Sequence, residues 1–140
     1  MAPPDREPSA LDSALERIGD RWSLAVVEAL LGGERRFSDL SESIAGIAPN
    51  TLAARLKQLE ADGLVASVPY SERPPRVAYR LTAAGAELDG IVKMLAQWGA
   101  RRAGRAEPLR HDLCGTALDV RWYCSTCHVD VADPEELGYA

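Results

Sequence analysis

Apolar positions between residues 36 and 85 change period twice. Phe37, Leu40 and Ile44 recur at helical spacing and give one apolar stripe. Gly46 supplies a stop signal, Ile47 is the apolar residue expected to plug a turn, and Pro49 suits the first turn of a second helix. Leu52, Leu56 and Leu59 then share a face, and Gly63 ends the run. Beyond it the period falls to two: residues 65–70 and 77–82 read as strands around the loop SERPPR, with Val77, Tyr79 and Leu81 alternating with Ala78 and Arg80. Before the pair, residues 10–18 form an amphipathic helix that Ser9 can cap, and 22–31 (WSLAVVEALL) read as a buried helix ending at Gly32-Gly33. After the hairpin, residues 83–103 read as one long helix. Its stripe of Leu88, Ile91, Val92, Leu95 and Trp98 is wider than a small domain buries alone.

Helix, turn, helix and hairpin in that order predict an α+β winged helix-turn-helix, mostly helical with a two-stranded β-wing. Helix 50–62 is the expected reader of the DNA major groove. Opposite its leucines it carries Asn50, Ala54 and Lys57, with Thr51 and Gln58 to one side and Arg55 at the boundary between the faces. Asn and Gln pair with adenine, Arg with guanine, and Lys with phosphate. An ordinary solvated surface has the same look when the helix is read alone; the hairpin that follows favours DNA. In the wing, 71–76, Arg73 and Arg76 flank the stiff Pro74-Pro75 pair, placed for phosphate or a narrow minor groove.

The 140 residues suggest one domain with an appendage: a flexible segment 1–9, a DNA-binding and dimerisation domain 10–104, and a tail 105–140. The net charge of −5 is unusual for a DNA binder, but it is uneven. Residues 20–82 balance eight Lys or Arg with eight Asp or Glu, whereas 105–140 hold three against seven. A neutral core can still bind DNA if Arg35, Arg36, Arg55, Lys57, Arg73 and Arg76 share one face. The start of the chain is polar and Pro-rich without a signal-peptide core, and no segment is long enough to span a membrane, which points to the cytoplasm. No G-x-S-x-G, phosphate loop or H-E-x-x-H motif is present, so no enzymatic activity is expected.

All three cysteines and both histidines fall in the tail. His111-x2-Cys114-Gly115 and Cys124-x2-Cys127-His128 form two turns that could aim four ligands at one tetrahedral centre, as in a small zinc ribbon. His111, Cys114, Cys124 and Cys127 are the expected ligands of one structural Zn²⁺ per chain. His128 sits where the second turn would want a glycine. The span 118–123 (LDVRWY) alternates and could form a strand between the turns. A cytosolic disulfide is disfavoured, and the strand-helix setting of a thioredoxin-like site is missing.

The chain resembles the HxlR-type regulators, a winged-helix family related to the MarR-like regulators. The resemblance rests on Ile18-Gly19 and Trp22, Arg36-Phe37 with Leu40, Gly46-Ile47, Leu52, Arg55-Leu56, Leu59-Glu60, Asp62-Gly63-Leu64-Val65, Tyr79, Leu81-Thr82, Gly85 and Trp98-Gly99. It implies a cytoplasmic homodimer on a pseudo-palindromic double-stranded DNA operator, paired through the wide stripe of helix 83–103. Many members of the family carry a cysteine nine residues before the Ile-Gly pair, and this chain has Ser9 there, which argues against thiol sensing by that route. Two other readings stay open: a protein-interaction module, and a metal- or thiol-responsive sensor using the tail. A cleft between the dimer helices could hold a small-molecule effector, but no residue identifies one.

Overall fold

The computed structural model describes residues 7–105 and 109–138. Along them run α1 (Ala10–Ile18), α2 (Arg21–Leu31), β1 (Arg35–Arg36), α3 (Phe37–Ser43), α4 (Pro49–Ala61), β2 (Val65–Glu72), β3 (Pro75–Leu81), α5 (Ala83–Ala86), α6 (Asp89–Arg102), β4 (Trp122–Cys124), β5 (Val129–Val131) and a 3-10 turn, Pro134–Glu136. The chain divides into two compact units, Met1–Val92 and Lys93–Ala140, with the boundary inside α6. Of the N-terminal segment 1–9, residues 1–6 lie outside the described residues. No helix among the described residues is long and apolar enough to cross a membrane.

In the first unit the helix starts are fixed by local chemistry. The Ser9 Oγ accepts from the Asp12 N–H at 3.1 Å, and the Asp12 carboxylate accepts from the Ser9 N–H at 2.9 Å. Asp20 caps α2 by accepting from the N–H groups of Trp22 and Ser23, each at 3.0 Å. Pro49 opens α4, and Leu52 N–H closes its first turn on the Ala48 carbonyl at 2.9 Å. Gly46 (φ +78°) and Gly63 (φ +72°) take the left-handed conformation that ends α3's turn and α4.

The core forms where these elements meet. Val26, Val27 and Leu30 of α2 pack with Leu40, Leu52, Leu56 and Leu59, and Ile44, Ile47, Val65 and Val92 complete the cluster. Ile47 is buried in the turn, as its position between the helices predicts. The sheet has the order β1-β3-β2, all antiparallel, with Arg36 opposite Ala78 and Ala78 opposite Val68. Toward the tip the wing strands run further than the expected 65–70 and 77–82, leaving only Arg73 and Pro74 there, while β3 ends at Leu81. Strand β1 has no sequence signature; two residues form it because β3 offers them an edge.

Two expectations are corrected. The helix expected over 83–103 is split, α5 ending at Ala86 and α6 starting at Asp89. Thr82 ties α5 to the end of α4: its hydroxyl donates to the Gly63 carbonyl at 2.6 Å and accepts from the Gly85 N–H at 3.1 Å. Gly85 presses against the Leu64 carbonyl, where a Cβ would collide with the oxygen. The chain then tightens, Leu88 N–H reaching the Gly85 carbonyl at 3.2 Å, before regular helix resumes. In the second unit, the strand expected over 118–123 forms instead at Trp122–Cys124, because it pairs with Val129–Val131 as a hairpin around the Cys124 turn.

Because the Cβ of an alanine at 85 would meet backbone rather than a movable side chain, Gly85→Ala should destabilise the first unit by about 1–3 kcal/mol. A lowered urea midpoint at unchanged slope is the expected result.

Candidate nucleic-acid interface

Burial of Leu52, Leu56 and Leu59 sets the rotation of α4 and leaves the opposite face outward. Asn50, Ala53, Ala54, Lys57 and Gln58 are exposed, while Thr51 and Arg55 are half-buried at the flanks. Gln58 is partly engaged, its Nε2 donating to the Asp62 carboxylate at 3.2 Å. This is a narrow face of small and polar side chains, with a profile that fits a major groove.

Arg55 departs from a simple reading role. Its guanidinium reaches back to Asp20 at the start of α2, NH1 to Oδ2 being 3.4 Å. Asp20 also accepts from the hydroxyl of Ser23, which is fully buried. Burial works against ionisation of Asp20, but the hydrogen bonds from Ser23, the Arg55 charge and the Trp22 N–H together hold its carboxyl below the ordinary value. The Arg55 Nε is buried and finds no acceptor among the described residues. An unsatisfied buried donor costs about 1–3 kcal/mol, and a half-exposed ion pair contributes about 0–1 kcal/mol. The Asp20–Arg55 contact is therefore a poor stabiliser for what it constrains.

The basic residues of the wing stand apart from the core. Arg73 and Arg76 are exposed, with Arg76 in register with Ser71 and Arg73 at the tip. Arg36 lies over the Tyr70 ring, guanidinium carbon to centroid 5.0 Å, on the same sheet face as Ala78 and Val68. Arg35 is held by its Nε donating to the Ala29 carbonyl at 2.8 Å. The first unit thus presents α4's outer face, Arg36 and the wing arginines as separate exposed features. Asp20 and Tyr70, which orient Arg55 and Arg36, escaped sequence reasoning. Asp20 is legible as a helix cap, but nothing local marks its partner 35 residues away.

The tail holds its candidate ligands as two pairs. In the first, His111 Nδ1 lies 3.3 Å from Cys114 Sγ. In the second, the Cys127 N–H donates to Cys124 Sγ at 3.4 Å. The turns match in their backbone: Gly115 N–H reaches the His111 carbonyl at 2.7 Å, and His128 N–H reaches the Cys124 carbonyl at 2.8 Å. Each is followed by a left-handed residue, Gly115 at φ +70° and His128 at φ +58°. The ring of His128 is engaged elsewhere, its Nδ1 lying 3.1 Å from the Tyr123 hydroxyl. Backbone N–H groups of Cys127 and Thr126 and the Cys127 side chain lower the Cys124 pKa, and Thr116 lowers that of Cys114. The two pairs do not converge: no group of three such side chains able to hold a metal ion stands together among the described residues.

Residues 17–107 match the model of the HxlR-like helix-turn-helix family. The chain is 39% identical over 129 residues to the uncharacterised HTH-type transcriptional regulator Rv3095 of Mycobacterium tuberculosis, covering 89% of this chain and 81% of that protein. It is 35% identical over 96 residues to the regulator YtcD of Bacillus subtilis, covering 69% and 76%. Among solved structures, the candidate transcription factor PA1374 from Pseudomonas aeruginosa superposes with a TM-score of 0.70 at 31% identity, over 91% of this chain and 89% of that one. The redox regulator HypR in its reduced form gives 0.64 at 32%, over 68% and 94%. A helix-turn-helix with an outward polar face, a basic wing and these likenesses lead to one conclusion: the chain belongs to the HxlR-like helix-turn-helix family and is a DNA-binding transcriptional regulator, not an enzyme.

Proposed function

We propose that the protein acts in the cytoplasm as a homodimer on a pseudo-palindromic operator, α4 of each copy entering a major groove and the wings holding the flanking backbone. The outward face of α4 is the observation that carries this reading. Its leucines fix the helix on α2, so Asn50, Thr51, Lys57 and Gln58 are offered to base edges while Arg55 stands at the flank. Arg36, Arg73 and Arg76 supply charge for phosphate. A dimer is supported by unusual exposure of apolar side chains in two helices. Leu11 and Leu15 of α1 are 66% and 52% exposed, and Ile91, Leu95 and Trp98 of α6 are 43%, 49% and 55% exposed. Burying such patches against a second copy would release apolar surface from water, and a paired operator needs a paired protein.

We further propose that the tail binds one structural Zn²⁺ through His111, Cys114, Cys124 and Cys127. The donor set suits zinc, and the two turns share a backbone form, the second also aiming the Cys127 N–H at the Cys124 sulfur. The engagement of His128 by Tyr123 supports His111 as fourth ligand. Binding requires the two turns to converge, and the metal would contribute the cohesion that a short, exposed segment cannot draw from apolar burial.

For the DNA reading, Asn50→Ala and Lys57→Ala should weaken operator binding, the first by about 1–3 kcal/mol with altered sequence preference. Arg73→Ala and Arg76→Ala should weaken operator and non-operator DNA alike and lower the salt slope by about one each. Anisotropy titrations at several salt concentrations measure both; parental binding by all four variants removes this face.

For assembly, light scattering at micromolar concentration should show a dimer, and Leu95→Asp a folded monomer. A folded monomeric parent would overturn the two-half-site arrangement.

For the tail, elemental analysis should find one zinc per chain, lost in Cys124→Ser and kept in His128→Ala. Because the thiolate is the ligand form, affinity should fall with decreasing pH. Metal-free protein from a reducing, chelator-free preparation would refute the site.

A further inference from the structure

We infer that Arg55 is a positioning residue: clasped by Asp20, it fixes the rotation of α4 against α2 and thereby sets which bases the face of Asn50 and Lys57 can reach. The inference rests on α4 being the reading helix.

Three features carry it. The clasp joins two elements and no more: Arg55 lies on α4, and Asp20 caps α2, with NH1 to Oδ2 at 3.4 Å. Asp20 is itself rigidly held. It accepts from two backbone N–H groups and from the hydroxyl of Ser23, whose side chain is fully buried. A fixed acceptor on one helix and a long donor on the other make a lever against rotation.

The second feature is the apolar packing it supplements. Leu52, Leu56 and Leu59 hold α4 by one stripe of similar, smooth side chains. Such a stripe resists separation more than it resists a small roll about the helix axis. Side-chain tips lie about 5–6 Å from that axis, so a roll of roughly ten degrees moves them by about 1 Å. That displacement is enough to spoil a bidentate base contact, whose donor–acceptor distances span a few tenths of an ångström.

The third feature is the buried Arg55 Nε without an acceptor among the described residues. A methionine would occupy the same position without stranding a donor, so stability alone does not call for arginine here. The half-exposed guanidinium is committed to Asp20, on the edge of the face and not at its centre.

The test is a double-mutant cycle of Asp20→Asn, Arg55→Met and their combination, with Arg55→Lys as the conservative variant. The probe is the duplex that the parent selects from a random library, with a scrambled duplex as non-operator control. Folding of each variant is checked by its urea midpoint. A positioning role predicts that each single change lowers operator affinity on the order of tenfold, and that the double variant is no worse than the weaker single, the mark of a shared interaction. Non-operator affinity should not fall, the salt slope should stay parental, and Arg55→Lys should recover most of the operator affinity. A merely structural role would shift the urea midpoint and leave the ratio of operator to non-operator binding unchanged, which overturns the inference. So does parental operator affinity in Asp20→Asn, or a salt slope reduced by about one in Arg55→Met with losses that add, since Arg55 would then touch DNA directly. Asn50→Ala and Lys57→Ala run alongside as controls. If both bind operator like the parent, the reading-helix assignment fails, an outcome separate from failure of the clasp.

Discussion

The seating of α4 on α2 is the constraint from which the first unit follows. Leu52, Leu56 and Leu59 are at most 2% exposed, and they meet Val26, Val27 and Leu30, which are equally dry. Leucine-to-alanine changes at such positions cost about 2–5 kcal/mol, far more than any ion pair on this surface. Once that stripe is buried, helical geometry forces Asn50, Ala54 and Lys57 outward. The exposed face is thus a consequence of the buried one. Asp20, Ser23 and Arg55 add direction to an interface whose strength is apolar.

The wing follows a different logic. Its strands pair as far as Glu72 and Pro75, with a bulge at Tyr70, so Arg73 is carried to a tip far from core packing. Little apolar burial supports it, and its arginines are free to follow a phosphate backbone. The neutral balance of residues 20–82 then makes sense: acidic groups such as Asp20, Asp39 and Asp62 are spent on helix ends and on holding side chains, while the wing cations and Lys57 remain outward. On the proposed reading, affinity would be electrostatic and salt-sensitive at the wing, and geometric at α4.

HypR is a redox regulator, whereas this chain has no cysteine in the stretch 17–107 that matches the family. Its cysteines lie in the tail, in two turns of the same backbone form. The left-handed His128 is the informative detail. A β-carbon residue takes φ +58° at some cost, and here the hydrogen bond with Tyr123 accompanies it.

Much of the fold was legible in the sequence because it is encoded by short-range rules. The cap at Ser9, the proline in the first turn of α4, left-handed glycines at 46 and 63, and the switch of period from helical to alternating each depend on a few neighbouring residues. The elements they announce are α1, α2, α3, α4 and the hairpin, with the polar face of α4 among them. What the sequence could not decide involves partners distant along the chain. Strand β1 exists because β3 offers an edge, and the 83–103 helix breaks because Gly85 is drawn against the Leu64 carbonyl. Arg55, at the boundary between the faces by its position in the sequence, meets Asp20 there because burial of three leucines seats α4 on α2. Periodicity fixes which side of a helix is apolar; only the packed structure decides what stands beside the boundary residues, since those neighbours come from segments tens of residues away.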